Sequence, residues 1–425
     1  MTTIMQSSII ATMMNLVILI ICPFGHRFYH GVSACGNTPQ NYTSKSYILL
    51  VVLLSAMVTI SSLYITQPMQ PLFMEEFGIS ITQVTLFTSV VLLALAFAPI
   101  VYGYLLEKFD TRKVLFVSLG MIGVFQCLLC FAQDYRTFLA LRLLEALAIP
   151  AALTATLTTL MRIDMQNIQK YVSLYVAATV FGGVLSRVAG GFITSISSWQ
   201  FTFAALGITT LVVAILSFRI PQSSQMTNAK ITPKIVLELL KDKRYAVLYA
   251  GAFLVLFCFQ GALNFMPFEI KALNPDITPA QIGFLYLGYI IGIVAALLVG
   301  RIKRLLGGDL RAIIFGFVVF GIAPLIMLIK SFWWLFFAVF VICIGMFIVH
   351  SVLSAFVNSI SSEKKGITNG LYLAFYYTGG TIGTTMPSYL YYHFGWEVLC
   401  LFLSGILFAS ALMFYKISPI FKEAK

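Results

Sequence analysis

Gly103-Tyr104-Leu105-Leu106-Glu107-Lys108-Phe109-Asp110-Thr111-Arg112-Lys113 interrupts an otherwise apolar run from Leu86 to Leu115. A long apolar helix closes at Gly103, a short charged turn follows, and a second apolar helix opens at Val114. The same construction returns at Leu297–Arg311, where Gly300 precedes Arg301, Lys303, Arg304, Gly307, Gly308 and Arg311. Gly103 and Gly300 lie 197 residues apart, and that offset organises the chain. Gly182-Gly183 meets Gly379-Gly380, Trp199-Gln200 meets Trp396-Glu397, and Tyr175 meets Tyr372, all without a gap.

With 425 residues, 60% hydrophobic and 10% charged, the chain is too apolar for a soluble globular protein. Runs of about twenty apolar residues recur from end to end, each able to cross a hydrocarbon core ~30 Å thick. The net charge of +12 is dispersed among short loops, so it does not form a nucleic-acid patch. Twelve spans are expected at 47–67, 83–105, 113–132, 135–158, 170–194, 198–218, 246–268, 281–302, 311–329, 332–357, 367–391 and 396–416. The expected fold class is an all-α polytopic membrane protein with its twelve helices in two parallel six-helix bundles. The bundles occupy 46–219 and 246–417, joined by a linker at 220–245 with a short surface helix and followed by a tail at 418–425. Each half has an even number of spans, so both insert alike, which suits a central cavity between rocking bundles.

Lys and Arg crowd one side, from Lys108, Arg112 and Lys113 through Lys241, Lys243 and Arg244 to Lys364, Lys365 and the tail. The other side holds Arg136, Lys271 and Lys330. This bias predicts a cytoplasmic linker and C terminus. Residues 1–45 are an extension of open status. Ile9–Phe24 is apolar but lacks the leading positive charge of a secretory signal. A thirteenth span, a surface-lying segment and an upstream stretch outside the true coding start are the alternatives.

Several polar residues inside spans carry candidate chemistry. Arg142 and Glu145 share a helix face in span four, and Arg187 lies in span five, both arginines ~10 Å below one surface. Glu145 is a turn deeper, within reach of either arginine. Ionisable groups at such depth are costly and mark proton coupling, anion binding or a static polar network. His350 can titrate or bond statically. Tyr372, Tyr376 and Tyr377 are candidates to line a cavity or simply to pack, with Tyr64, Gln67 and Gln70 near the outer end of span one as weaker ones. The turn residues Gly103, Glu107, Asp110, Arg112, Lys113, Arg301, Arg304 and Arg311 can gate by bridging helix ends, or act only as orientation charges. Gly183, Ser186 and Gly190 stack on one face beside Gly182 and Gly191, and Gly379, Gly380 and Gly383 answer in span eleven, for close packing or flexure.

Other chemistry is not supported. His26, His30 and His393 form no metal site, and Cys127 and Cys130 lack polar partners for zinc or redox work. The Gly-x-x-x-x-Gly-Lys-Ser/Thr loop is missing, which argues against ATP as the direct energy source. No cofactor is expected, and an enzyme domain has no room in the connections.

At these residues the sequence resembles the major facilitator superfamily. Gly103, Leu105, Glu107, Lys108, Arg112 and Lys113 match its loop motif, with Glu107 for the usual Asp and Asp110 where Gly is usual. Arg142 with Glu145 matches its span-four motif, which implies proton transfer. Gly182, Ser186-Arg187 and Gly190-Gly191 resemble its antiporter motif, with Ser-Arg in place of Gly-Pro. Tyr64-x-x-Gln67-Pro68-x-x-Pro71, His350-Ser351-Val352 and Leu371-Tyr372-Leu373-x-Phe375-Tyr376-Tyr377-x-Gly379 look like the YnfM-type inner-membrane permeases, a subgroup linked to arabinose-like sugar or drug efflux. The resemblance implies proton-driven efflux (antiport) of a small organic molecule, such as a drug, a sugar-like compound or a siderophore-like metabolite, by a monomer in a bacterial inner membrane. Its partners are then substrate, protons and lipid, with no nucleic acid. A proton-coupled importer or sugar facilitator, and a non-transporting sensor, are the alternatives.

Overall fold

The computed structural model describes residues 45–163, 168–221, 233–360 and 365–421, and these are helical apart from short connections. The expectations for residues 1–44 lie outside the described residues. Eleven helical segments among the described residues are long and apolar enough to cross a membrane, and the chain is a multi-pass integral membrane protein.

The first path consists of α1 (Lys45–Tyr64), a 3-10 turn (Gln67–Met69) and α2 (Gln70–Phe77). It is followed by α3 (Ile81–Lys108), α4 (Thr111–Leu129), α5 (Tyr135–Ile163), α6 (Ile168–Ile196) and α7 (Trp199–Ser217). The connection carries the expected short helix, α8 (Pro233–Lys241), and bonds from Arg244 hold the Asp242 carboxyl below its usual range. Then come α9 (Lys243–Leu263), α10 (Met266–Leu273), α11 (Pro279–Leu285), a 3-10 turn (Tyr286–Tyr289) and α12 (Ile290–Leu306). Last are α13 (Asp309–Ile326), α14 (Phe332–Ile360), α15 (Lys365–Thr385) and α16 (Pro387–Ile417), the last kinked at Gly395.

Where the sequence suggests that spans one and seven end, the structure instead breaks them and continues. Pro68 has no N–H for the Tyr64 carbonyl, and Pro267 has none for that of Leu263. The Tyr286 hydroxyl donates to the freed Leu263 carbonyl at 2.9 Å. The expected span at 367–391 is likewise interrupted, with α15 ending at Thr385 before Pro387. α15 is absent from the strongly apolar set because Asn369, three tyrosines and a run of Gly and Thr dilute it.

Glycines set the closest helix contacts, but not at the expected positions in α6. A Cβ on Gly182 would lie 2.6 Å from the Met57 carbonyl oxygen in α1, and one on Gly191 2.2 Å from that of Pro279. Gly183 and Gly190 face side chains instead, of Arg187 and Ile65, while Ser186 donates to the Gly183 carbonyl of its own helix. In α15 a Cβ on Gly379 or Gly383 would come within 2.2 Å of the Phe253 or Phe257 carbonyl oxygen, so α15 lies backbone-to-backbone on α9. Gly380 faces Leu256 and Leu92.

The two charged turns are alike in sequence and different in build. Asp110 caps α4 by accepting from the Arg112 amide, whereas Gly307 closes α12 with a positive φ of 77°. The Arg112 guanidinium lies 5.1 Å from the Phe218 ring and donates to the Phe218 carbonyl, pinning α4 to the end of α7. Arg311 donates to the Leu306 carbonyl, and Lys113, Arg301 and Arg304 are exposed. Gly103 and Glu107 lie where the structure describes the helix alone.

Candidate functional site

α5 places Arg142 and Glu145 three residues apart on its buried face, and the two pair at 2.6 Å with no exposure of either. Breaking α1 at Ile65 leaves its last-turn carbonyls without intrahelical donors. Arg142 takes two of them, donating to Ser62 at 3.0 Å and Leu63 at 3.4 Å, and also donates to the Phe87 carbonyl in α3. Gln126 in α4 donates to Glu145 at 3.1 Å and accepts from Thr210 in α7. The acid is thus held by the Arg142 guanidinium and by neutral donors, Gln126 among them, in an interior where a lone carboxylate would be strongly disfavoured. Gln126 is a site residue the sequence reading did not single out.

Arg187 does not join that pair. Its Nε donates to Gln67 at 2.6 Å, Nη1 to the Gly183 carbonyl at 2.7 Å and Nη2 to the Tyr289 hydroxyl at 3.1 Å. The rings of Tyr64, Tyr289 and Tyr286 surround the guanidinium, with centroids at 3.8, 4.5 and 5.0 Å. Gly183 leaves room for the guanidinium, and Gly283 lets α11 approach the Arg187 backbone. Arg187 is completely buried, and no carboxylate among the described residues lies within 4.0 Å of it. Tyr64 and Gln67, weak candidates by sequence, are central here. Tyr286 and Tyr289 were not foreseen.

The third cluster joins α14 to α15. The Tyr372 hydroxyl lies 2.8 Å from His350 Nδ1, and the Tyr376 ring is 4.5 Å from the imidazole. Tyr372 and Tyr376 stack as their four-residue spacing predicts, and Tyr377 packs edge-on against Tyr376.

Polar contacts link the two halves at the end carrying the 78–80 and 274–278 connections. Asn264 accepts from Gln70 at 2.8 Å and Gln67 at 3.4 Å, and donates to the Thr384 carbonyl. Thr82 bonds Ser388, Ser89 donates to the Thr381 carbonyl, and the Ala280 amide donates to Ser195. Lys271 pairs with Glu75 at 3.3 Å. Gln67 therefore bonds both Arg187 and the seam, so a change at the guanidinium reaches the contact between halves.

Among the described residues no group of three or more His, Cys, Asp or Glu side chains could hold a metal ion. Residues 52–307 and 269–425 match the family model described as Major Facilitator Superfamily. The chain is 24% identical over 376 residues to the uncharacterized MFS-type transporter YybF of Bacillus subtilis (strain 168), covering 84% of this chain and 92% of that protein. It is 24% identical over 372 residues to the inner membrane transport protein YnfM of Escherichia coli (strain K12), covering 86% and 89%. A shorter match, 25% over 193 residues, covers 44% of this chain and 42% of the 4-hydroxybenzoate transporter PcaK of Pseudomonas aeruginosa. At such identities no subgroup is fixed. Among solved structures, a variant of the nucleoside transporter NupG aligns with a TM-score of 0.73 at 14% identity, over 88% of this chain and 99% of that one. A bacterial homologue of the human lysosomal transporter Spinster, inward-facing and occupied, also gives 0.73, at 15% identity over 92% and 99%.

Proposed function

The chain belongs to the Major Facilitator Superfamily, as a secondary transporter of small molecules and not an enzyme, and we propose that it exports a small organic anion in exchange for protons. The observation carrying this reading is the separation of two buried arginines. Arg142 has its own carboxylate at 2.6 Å, whereas Arg187 is held by neutral groups alone. A buried cation without a counter-ion is expensive, and an arriving carboxylate relieves that cost through the guanidinium fork. Glu145 is then free for the other task, passing between an Arg142-paired and a protonated state. The name of PcaK, a 4-hydroxybenzoate transporter, favours an organic acid.

The architecture assigned to this cycle is twelve spans in two parallel six-helix bundles, at 46–219 and 246–417, which rock about the seam. The loop charges favour a cytoplasmic linker and C-terminal tail, and the similarity to the inner membrane transport protein YnfM favours a bacterial inner membrane. Export rests on the motif resemblance to efflux permeases. The turn residues would latch helix ends within each half, and His350 with Tyr372, Tyr376 and Tyr377 would line the second half of the path.

Proteoliposomes loaded with acidic buffer test the reading, with radiolabelled 4-hydroxybenzoate outside. Proton exit by antiport should accumulate the label in the lumen. Accumulation that instead requires acid outside would identify a proton-coupled importer, and flux indifferent to the pH gradient would remove proton coupling.

A further inference from the structure

Gln260 is completely buried in α9, and neither its Nε2 nor its Oε1 has a hydrogen-bond partner among the described residues. Leaving both ends of a carboxamide unmet costs more than an apolar residue would, so the position calls for a chemical explanation. Its place in the helix supplies one. Gln260 stands four residues from Leu256 and four from Asn264, on one face of α9. Leu256 packs at Gly380 beside Leu92 of the first half, and Asn264 bonds Gln67 and Gln70 across the seam. Gln260 thus faces the seam between these two contacts, ~6 Å along the helix axis from Asn264.

The same stretch of α9 abuts the Arg187 cage. Phe259 lies 5.4 Å from the Tyr289 ring, and the Leu263 carbonyl receives the Tyr286 hydroxyl. Gln67 joins Asn264 to Arg187 directly. Gln70 also keeps a buried, unpaired Oε1 while its Nε2 serves Asn264. Gln260 and Gln70 together therefore leave one amide NH2 and two carbonyl oxygens unpaired on a stretch that Gln67 and Asn264 connect to the arginine. A hydroxyl both donates and accepts, and matches that set as an apolar substituent cannot.

We propose that Gln260 is a substrate-binding residue that recognises a hydroxyl group on an organic anion whose carboxylate is held at Arg187. This deepens the anion reading above and rests on it. A carboxylate and a hydroxyl on one small molecule would span the two sites as the halves part, and the substrate class is a hydroxylated organic acid. Hydroxyl recognition of this kind gives large discrimination, because the analogue lacking the group leaves buried polar atoms unpaired.

The test uses the full chain, purified in detergent, and the pairs 4-hydroxybenzoate/benzoate and malate/succinate as probes, with binding read by calorimetry. Wild type should prefer the hydroxylated member of at least one pair by about tenfold or more, and Gln260→Leu should bring that ratio close to one while still binding the plain acid. Without ligand, Gln260→Leu should melt no lower than wild type, because it removes an unsatisfied buried amide. A fall in Tm of more than about 5 °C would assign Gln260 a structural partner and overturn the proposal. A hydroxyl preference that survives Gln260→Leu, or wild type that binds both members of each pair equally, overturns it while leaving the anion reading intact. Wild type that binds no member of either pair overturns both. Arg187→Ala separates the two assignments, since it should weaken hydroxylated and plain acids alike.

Discussion

Gln67 and Asn264 occupy equivalent places in the two halves of the chain, 197 residues apart, and meet across the seam with Gln67 Nε2 3.4 Å from Asn264 Oδ1. Each sits where a membrane path breaks ahead of a proline. The duplication has therefore placed two helix breaks against each other, and the polar groups they release hold the halves together. Gln70 makes the shorter bond to the same oxygen, at 2.8 Å. A double-mutant cycle between Gln70→Ala and Asn264→Ala should give a coupling of about 1 kcal/mol in thermal unfolding. The Gln67–Asn264 cycle should give less. Equal couplings would mean that the seam bonds are not ranked by their geometry.

Glu145→Gln keeps an acceptor for Gln126 and removes the exchangeable charge. Arg142 retains its bonds to the Ser62, Leu63 and Phe87 carbonyls, so the loss of stability should fall short of the ~3–5 kcal/mol typical of a broken buried pair. The variant should insert and exchange substrate downhill, yet lose accumulation driven by a pH gradient. Full gradient-driven accumulation would return Glu145 to a structural network, with His350 the next group to test.

Arg187→Ala should weaken carboxylates more than neutral solutes, by about 1.5–3 kcal/mol, the range for a hydrogen bond to a charged group. Arg187→Lys should rescue little of this, because a point charge cannot serve Gln67, Gly183 and Tyr289 together. Competition binding with charged and neutral aromatics distinguishes the outcomes. Equal losses for both classes would make Arg187 a packing residue.

Gly383→Ala drives a methyl into the Phe257 carbonyl and should cost about 1–3 kcal/mol by overpacking. Gly405→Ala meets nothing within 4 Å and should be neutral or stabilising by up to about 1 kcal/mol. Melting temperatures in one detergent compare the two directly.

Cysteines introduced at Lys241 and Lys271, in a background without native cysteines, report orientation. An impermeant thiol reagent on intact cells should label position 271 and spare 241. The reverse pattern would invert the proposed topology.

The repeat was legible because its markers are stringent. Trp199 opens α7 and Trp396 follows the Gly395 kink of α16; both are buried, although one indole donates to Glu76 and the other to the Met327 carbonyl. Helix positions were legible to within a few residues, since apolar runs report length well. The breaks were not, because Pro68 and Pro267 read equally well as ends of spans. Depth along a helix likewise placed Arg187 near Glu145, but rise per residue says nothing of azimuth. The side chain points towards the end of α1 and the 3-10 turn at Tyr286–Tyr289 instead. Gln126, Gln260, Tyr286 and Tyr289 escaped notice because neutral polar groups in an apolar span carry no signal until their neighbours are known.

The polar composition of α15 also bears on how the protein is made. A segment this rich in Gly, Thr and Tyr gains little by partitioning alone into lipid during synthesis. In the proposed twelve-span arrangement its place in the bilayer would depend on α9, through the backbone contacts at Gly379 and Gly383. α9 leaves the ribosome first, with α10 to α14 following before α15 appears. On that proposed arrangement, insertion of α15 would be a docking event that waits on an earlier one, and a chain whose α9 is damaged should release α15 to quality control while its other helices remain embedded.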